Sequence, residues 1–264
     1  MARPIPPPPP PPAIPTPPGP SPEGGGPVVV GRTAGPGFWW RVGSPIGVVP
    51  AAFVLLFVVA VIGYAALGES NQDTVGTIAV FVGSLAILLM GVGLMTRLPR
   101  HNRAVAFRTK RRLRGAIGVG IASGLGMIVL AGVIMQIGIS VDDSVKDRVD
   151  ELTTDLGSST WAVALAVAAL VVLAPLGEEL VFRALLLRGL VRRIPFWWAA
   201  LITSVLFGLS HLDVWITMLW PRLLALVIIG LGLAWLYRAR GYWASVSAHA
   251  TVNLVAAVVL LLNR

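Results

Sequence analysis

Seven stretches of this chain are apolar for about the length a helix needs to cross a bilayer, roughly 20 residues. They run from about Ile46 to Leu67, Thr74 to Met95, Gly115 to Ile139, from Trp161 onward, Pro195 to Leu212, Trp220 to Tyr237, and Tyr242 to Leu262. In hydrocarbon every backbone N–H and C=O must be satisfied within the protein, which leaves only helices and closed barrels. Barrel strands are short alternating segments, whereas these runs are continuous. The expected fold is therefore all-α: a polytopic membrane protein of about seven transmembrane helices. Composition agrees. The chain is 56% hydrophobic and 12% charged, with a mean hydropathy of +0.81, where a soluble domain carries about 25% charge.

Residues 1–37 stand apart. They hold 15 of the 21 prolines, including the unbroken run Pro6–Pro12. Such a segment has no apolar periodicity with which to bury a core, and reads as a disordered tail with polyproline II character. Its PxxP spacings would suit a proline-recognition partner. No apolar stretch with a small-residue cleavage site opens the chain, so the tail is not read as a secretory signal. Phe38-Trp39-Trp40-Arg41 resembles an interfacial aromatic anchor, and residues 38–264 are expected to form one helical bundle.

The net charge of +9 is not a nucleic-acid signature here, because the basic residues sit in loops between apolar runs. Arg97 to Arg114 carries eight Lys or Arg and no acid. Basic loops follow the second, fourth and sixth runs; acidic or neutral ones follow the first, third and fifth. The positive-inside rule then puts the N-terminal tail in the cytoplasm and the C-terminus outside. The absence of cysteine excludes disulfides, thiol nucleophiles and cysteine-ligated zinc. Gly120 and Gly124 form a GxxxG in the third run, a weak match in so glycine-rich a stretch.

The fourth apolar run ends on Pro175-Leu176-Gly177-Glu178-Glu179-Leu180-Val181-Phe182-Arg183. Each ionised group at such a depth costs a few kcal/mol, which makes it a functional-site hypothesis by default. Candidate partners lie in later runs. His211 closes Phe207-Gly208-Leu209-Ser210-His211, and His249 opens His249-Ala250-Thr251-Val252-Asn253. The i, i+4 spacing puts His249 and Asn253 on one helix face. The third histidine, His101, reads as a solvated residue of the basic loop. For the groups to meet, the fourth helix must continue past Arg183 to about Gly189, which sets Glu178 roughly 16 Å from that end at 1.5 Å per residue.

Glu178-Glu179-x-x-x-Arg183, Phe207-x-x-x-His211 and His249-x-x-x-Asn253, in this order on successive late runs, resemble the CPBP intramembrane proteases. That family includes the CAAX prenyl proteases and bacterial relatives linked to bacteriocin processing or self-immunity. The resemblance covers roughly residues 160–262 and implies peptide-bond hydrolysis in a membrane-embedded cavity open to the cytoplasm. It also implies a location in a bacterial cell membrane. The implied substrate is a membrane-tethered peptide or protein; a prenylated CAAX-type protein and an unprenylated peptide both fit.

The residue chemistry agrees with hydrolysis. A glutamate in a low-dielectric pocket can act as general base near neutral pH, so Glu178 is expected to activate water, with His211 sharing it. His249 and Asn253 are expected to donate hydrogen bonds to the developing oxyanion. Arg183 is expected to neutralise Glu179 on the same helix face, both supporting the catalytic groups from behind. Zn2+ or another divalent ion held by Glu178, His211 and His249, with an open position for water, is one arrangement; a metal-free glutamate mechanism is the other. Two competing readings exist. A proton-coupled transporter would use buried Glu, His and Arg as a relay, but would carry internal repeats that are not visible. A non-catalytic scaffold or immunity factor would have no reason to keep the full set.

Overall fold

The computed structural model describes residues 38–67, 72–110, 112–145, 147, 159–211 and 220–262. The proline-rich tail, Glu69 and most of the acidic loop after Asp142 lie outside the described residues. So does the segment 212–219.

Every described element is helical. They are α1 (Phe38–Leu67), α2 (Gln72–Thr96), α3 (Arg100–Ala106), α4 (Leu113–Val141), α5 (Thr160–Leu190), α6 (Phe196–Leu209), α7 (Trp220–Arg240) and α8 (Tyr242–Leu262). Six of them, α1, α2, α4, α5, α7 and α8, are long and apolar enough to cross a membrane. The chain is an integral membrane protein. The expected fifth crossing is a correction. α6 has 14 residues, about 21 Å at 1.5 Å per residue against a hydrocarbon core of about 30 Å. It opens after Pro195 and closes at Ser210, whose hydroxyl donates to Phe207 O at 2.7 Å. A side chain that caps its own preceding turn competes with further helix.

The helices carry apolar residues on every side, as bilayer-facing helices do. Val54, Phe57 and Ile62 of α1 and Val129 of α4 are more than 60% exposed. Side chains pointing inward form the core, in which Val181, Phe182 and Leu186 of α5 pack with Phe207 of α6 and Leu226 of α7. Close approach is bought with glycine, since lipid offers no hydrophobic drive between helices and small residues let backbones meet. The weak GxxxG match is one such seam. A Cβ on Gly120 would collide with Ala244 O and Ser247 Oγ, and one on Gly124 would lie 2.5 Å from Ala248 O. These two glycines therefore seat α4 directly on α8. Gly177, next to Glu178, does the same between α5 and α2, where a Cβ would stand 2.8 Å from Leu88 N.

The basic loop is more ordered than a solvated connection. It contains α3, on which His101 is exposed. Arg188 Nη1 donates to Asn102 O at 2.8 Å, and Tyr237 Oη donates to Ala106 O at 3.0 Å. Gly241, at φ +99°, turns α7 into α8, and a Cβ there would collide with Arg108 O. That left-handed turn, closed to residues with a Cβ at such contact, sets the angle at which α8 enters the bundle.

Candidate active site

α5 is the spine of the site. It continues unbroken to Leu190, but its winding widens to π-type turns over Ala169–Leu173 and Glu179–Leu187, with an α-helical turn, Ala174–Glu178, between them. Such wide turns are uncommon and concentrate at functional sites. The first has a local cause. Ala174 N–H bonds back to Ala169 O, and the next such bond would run from residue 175 to Leu170 O. Residue 175 is proline and has no N–H to give. Leu170 O is instead taken by Asn253 Nδ2 of α8, which donates at 2.8 Å.

α8 contributes four polar side chains along one stripe, Tyr242, Ser245, His249 and Asn253, spaced 3, 4 and 4 residues apart and so sharing a helix face. Each reaches α5. Tyr242 Oη donates to Leu176 O at 2.7 Å. Ser245 Oγ donates to Glu179 Oε2 and lies 3.0 Å from Leu233 O of α7. His249 Nδ1 stands 3.1 Å from Glu179 Oε1, and its Nε2 stands 3.9 Å from Glu178 Oε2.

The two glutamates differ in surroundings. Glu179 is fully buried and ringed by donors: Ser245, His249 and Arg183. Glu178 keeps 16% side-chain exposure, yet its Oε2 is buried and has no hydrogen-bond partner among the described residues. Arg183 is fully buried as well. Its Nη2 donates to Gly230 O at 3.2 Å, and its guanidinium stands 4.8 Å from the Phe207 ring centroid, a cation–π distance. Its Nε lies 3.4 Å from Glu179 Oε2, close enough for an ion pair but not aligned for a hydrogen bond.

Both histidine tautomers follow from their acceptors. Glu179 Oε1 is a carboxylate oxygen deep in the bundle and only accepts, so His249 Nδ1 carries a proton; in the neutral ring Nε2 is then the acceptor on the Glu178 side. His211 Nδ1 lies 2.8 Å from Phe207 O; a carbonyl only accepts, so this Nδ1 is also protonated and Nε2 is an acceptor in the neutral ring. The Phe207 ring packs edge-on against both imidazoles, with centroids 4.9 Å from His211 and 5.5 Å from His249.

The structure thus brings Glu178, Glu179, Arg183, His249 and Asn253 to the α5–α8 seam, with His211 on the far contact of a shared aromatic ring. The sequence paired Glu178 with His211; the closest described partner of Glu178 is His249. Three participants escaped the sequence reading. Ser245 has no charge to draw attention, Tyr242 reads only as the first residue of the last apolar run, and the Gly230 carbonyl leaves no mark in a sequence. The stripe spacing of 242, 245, 249 and 253 was the signal available for the first two.

For a metal, no group of three or more His, Asp or Glu side chains among the described residues is arranged to hold an ion. Glu178 and His249 offer two donors, where a catalytic zinc takes three from protein.

Residues 160–255 match the family described as type II CAAX prenyl endopeptidase Rce1-like. The protein named "Putative membrane peptidase YdiL" from Bacillus subtilis (strain 168) is 30% identical over 115 residues, which are 43% of this chain and 45% of that protein. The chain therefore spans less than half the length of this curated relative. No solved structure matches. The matched segment begins at the first residue of α5 and takes in all of the α5–α8 seam up to Asn253, so the similarity to CAAX prenyl endopeptidases falls on the residues of the candidate site.

Proposed function

We propose that this protein is an intramembrane endopeptidase that hydrolyses a peptide bond of a membrane-tethered substrate with a water held between Glu178 and His249. One observation carries the reading. Glu178 Oε2 and His249 Nε2 stand 3.9 Å apart, too far for a direct hydrogen bond; in the neutral ring with Nδ1 protonated, both are acceptors. A water between them donates one hydrogen to each at ordinary hydrogen-bond lengths of about 2.8 Å, and its lone pair then faces outward.

The chemistry follows from that placement. Glu178 takes a proton from the water as the oxygen attacks the scissile carbonyl carbon. The new C–O bond places negative charge on the former carbonyl oxygen. Asn253 Nδ2 has two N–H groups and spends one on Leu170 O; the second is the proposed oxyanion donor. Collapse of the tetrahedral intermediate breaks the C–N bond, and protonated Glu178 returns its proton to the leaving amine. His211, whose Nε2 is an acceptor, is proposed to share the water from the Phe207 side. Glu179 and Arg183 hold His249 in its working tautomer from behind.

An apolar cavity of about 480 Å³ adjoins this region, lined by Pro45, Phe53, Phe182, Leu206 and Ser210 among others. It supports a substrate with an apolar portion, of which a prenylated CAAX-type peptide is one class and an unprenylated membrane peptide another. The basic loops support an orientation with the tail and the opening of the site in the cytoplasm.

The test is cleavage by the full chain reconstituted in vesicles with membrane-tethered peptides, prenylated and not. Glu178→Gln and His249→Ala are each expected to lower kcat by 100-fold or more, on the scale of general acid–base catalysis, with little change in thermal stability for Glu178→Gln. Cleavage that survives both substitutions overturns the assignment. Proton flux without cleavage would favour a relay. A chelator in the same assay is expected to leave cleavage unchanged; loss of activity restored by one divalent ion would replace the metal-free step.

A further inference from the structure

The buried cluster behind His249 contains an unspent attraction. Arg183 Nε and Nη1 are buried donors without a hydrogen bond among the described residues, while the Glu179 carboxylate, their natural acceptor, is 3.4 Å from Nε and misaligned. An arginine and a carboxylate at this distance ordinarily settle into two parallel N–H···O bonds, the strongest arrangement open to them. Here they do not. Glu179 Oε2 is instead held by Ser245 Oγ, and this leaves Oε1 facing His249 Nδ1 at 3.1 Å. Ser245 is fully buried, and its hydroxyl comes from α8, the same helix as His249, four residues away.

We infer that Ser245 is a positioning residue for the proposed reaction: it keeps the Glu179 carboxylate from turning onto Arg183, so that Glu179 stays bonded to His249 Nδ1 and Nε2 stays bare toward Glu178. The inference rests on the Glu178–His249 reading above. Without the hydroxyl, Glu179 gains a full fork on Arg183, and His249 Nδ1 loses its only described acceptor. The imidazole proton is then free to move to Nε2, where it would point at Glu178 and fill the place of the water's hydrogen. A side chain that chooses a tautomer this way acts on rate and hardly on substrate binding.

The test reads the tautomer directly and does not depend on turnover. The full chain, with ¹⁵N-labelled histidine, is placed in lipid nanodiscs; it has three histidines, and His249→Gln identifies the resonances of position 249. Wild type is expected to show a protonated Nδ1 and a bare Nε2 at His249. Ser245→Ala is expected to shift a large share of that population to protonated Nε2, with His211 resonances unmoved as the internal check on folding. Ser245→Cys keeps the volume with a much weaker donor and is expected to lie between; it also serves if the alanine variant does not fold. In the cleavage assay kcat is expected to fall roughly tenfold to a hundredfold, typical for loss of a group that orients a catalytic ligand, with KM nearly constant. A His249 spectrum identical to wild type in either variant overturns the role of Ser245 while leaving the peptidase reading intact. Unchanged cleavage in Glu178→Gln overturns the Glu178–His249 water reading on which the inference rests, while the tautomer result still stands or falls by itself.

Discussion

Successive residues on a helix project about 100° apart at 3.6 residues per turn, and in Glu178 and Glu179 that angle separates two tasks. Glu179 faces the sealed interior, with Ser245, His249 and Arg183 around it. Glu178 faces the partly open side, with one oxygen left unbonded. The interior carboxylate sets a stability prediction. Breaking a buried ion pair by removing one partner typically costs about 3–5 kcal/mol, because a charge is left uncompensated. Arg183→Met is thus expected to lower the thermal midpoint in detergent sharply. Adding Glu179→Gln in the same chain is expected to recover much of that loss, since both charges are then gone. A double variant no more stable than Arg183→Met would show that the pair is not what Arg183 serves. The charged members of this cluster were visible in the sequence because ionised side chains in apolar runs are rare. Ser245 was not, since a serine in a membrane helix costs little and so signals little.

At the scale of the helix, α5 owes its form to Pro175 as much as to its charges. The proline deprives Leu170 O of a backbone donor, and Asn253 supplies one from α8. A double-mutant cycle tests this directly. Asn253→Leu is expected to cost on the order of 0.6–1.7 kcal/mol, the range for interhelical hydrogen bonds in a membrane bundle. In a Pro175→Ala background, where residue 175 regains its N–H, the same substitution is expected to cost measurably less. Equal costs in both backgrounds would sink the link between the proline and the asparagine. The boundaries of most helices were legible because bilayer-length apolar runs leave few alternatives: α2 and α4 extend only one or two residues beyond their expected limits at each end. What could not be read was winding. A π-type turn depends on which carbonyls find partners across the bundle, and that information is distributed over two helices far apart in sequence. α6 misled for a related reason. Its apolar run is expected to end near Leu212, while the helix stops where a hydroxyl and an imidazole turn back on Phe207 O.

For the whole molecule, charge asymmetry gives a topology that a labelling experiment can check. The chain has no cysteine, so single cysteines report without background. A cysteine at exposed Arg108, in the basic loop, is expected to react with a membrane-impermeant thiol reagent only after cells are opened. Labelling in intact cells would reverse the orientation. The bundle is also legible as a set of seams: α4 on α8 through Gly120 and Gly124, α5 on α2 through Gly177. The stripe on α8 has a consequence for how such a bundle assembles. Tyr242, Ser245, His249 and Asn253 each meet a fixed acceptor on α5, so sliding one helix past the other by a single turn would orphan all four together, in a medium with no water to console them. Greasy surfaces alone would tolerate many alignments; these four contacts accept one. α8 is in this sense a key cut to fit α5, and the residues proposed to do the chemistry double as the teeth that verify the fit.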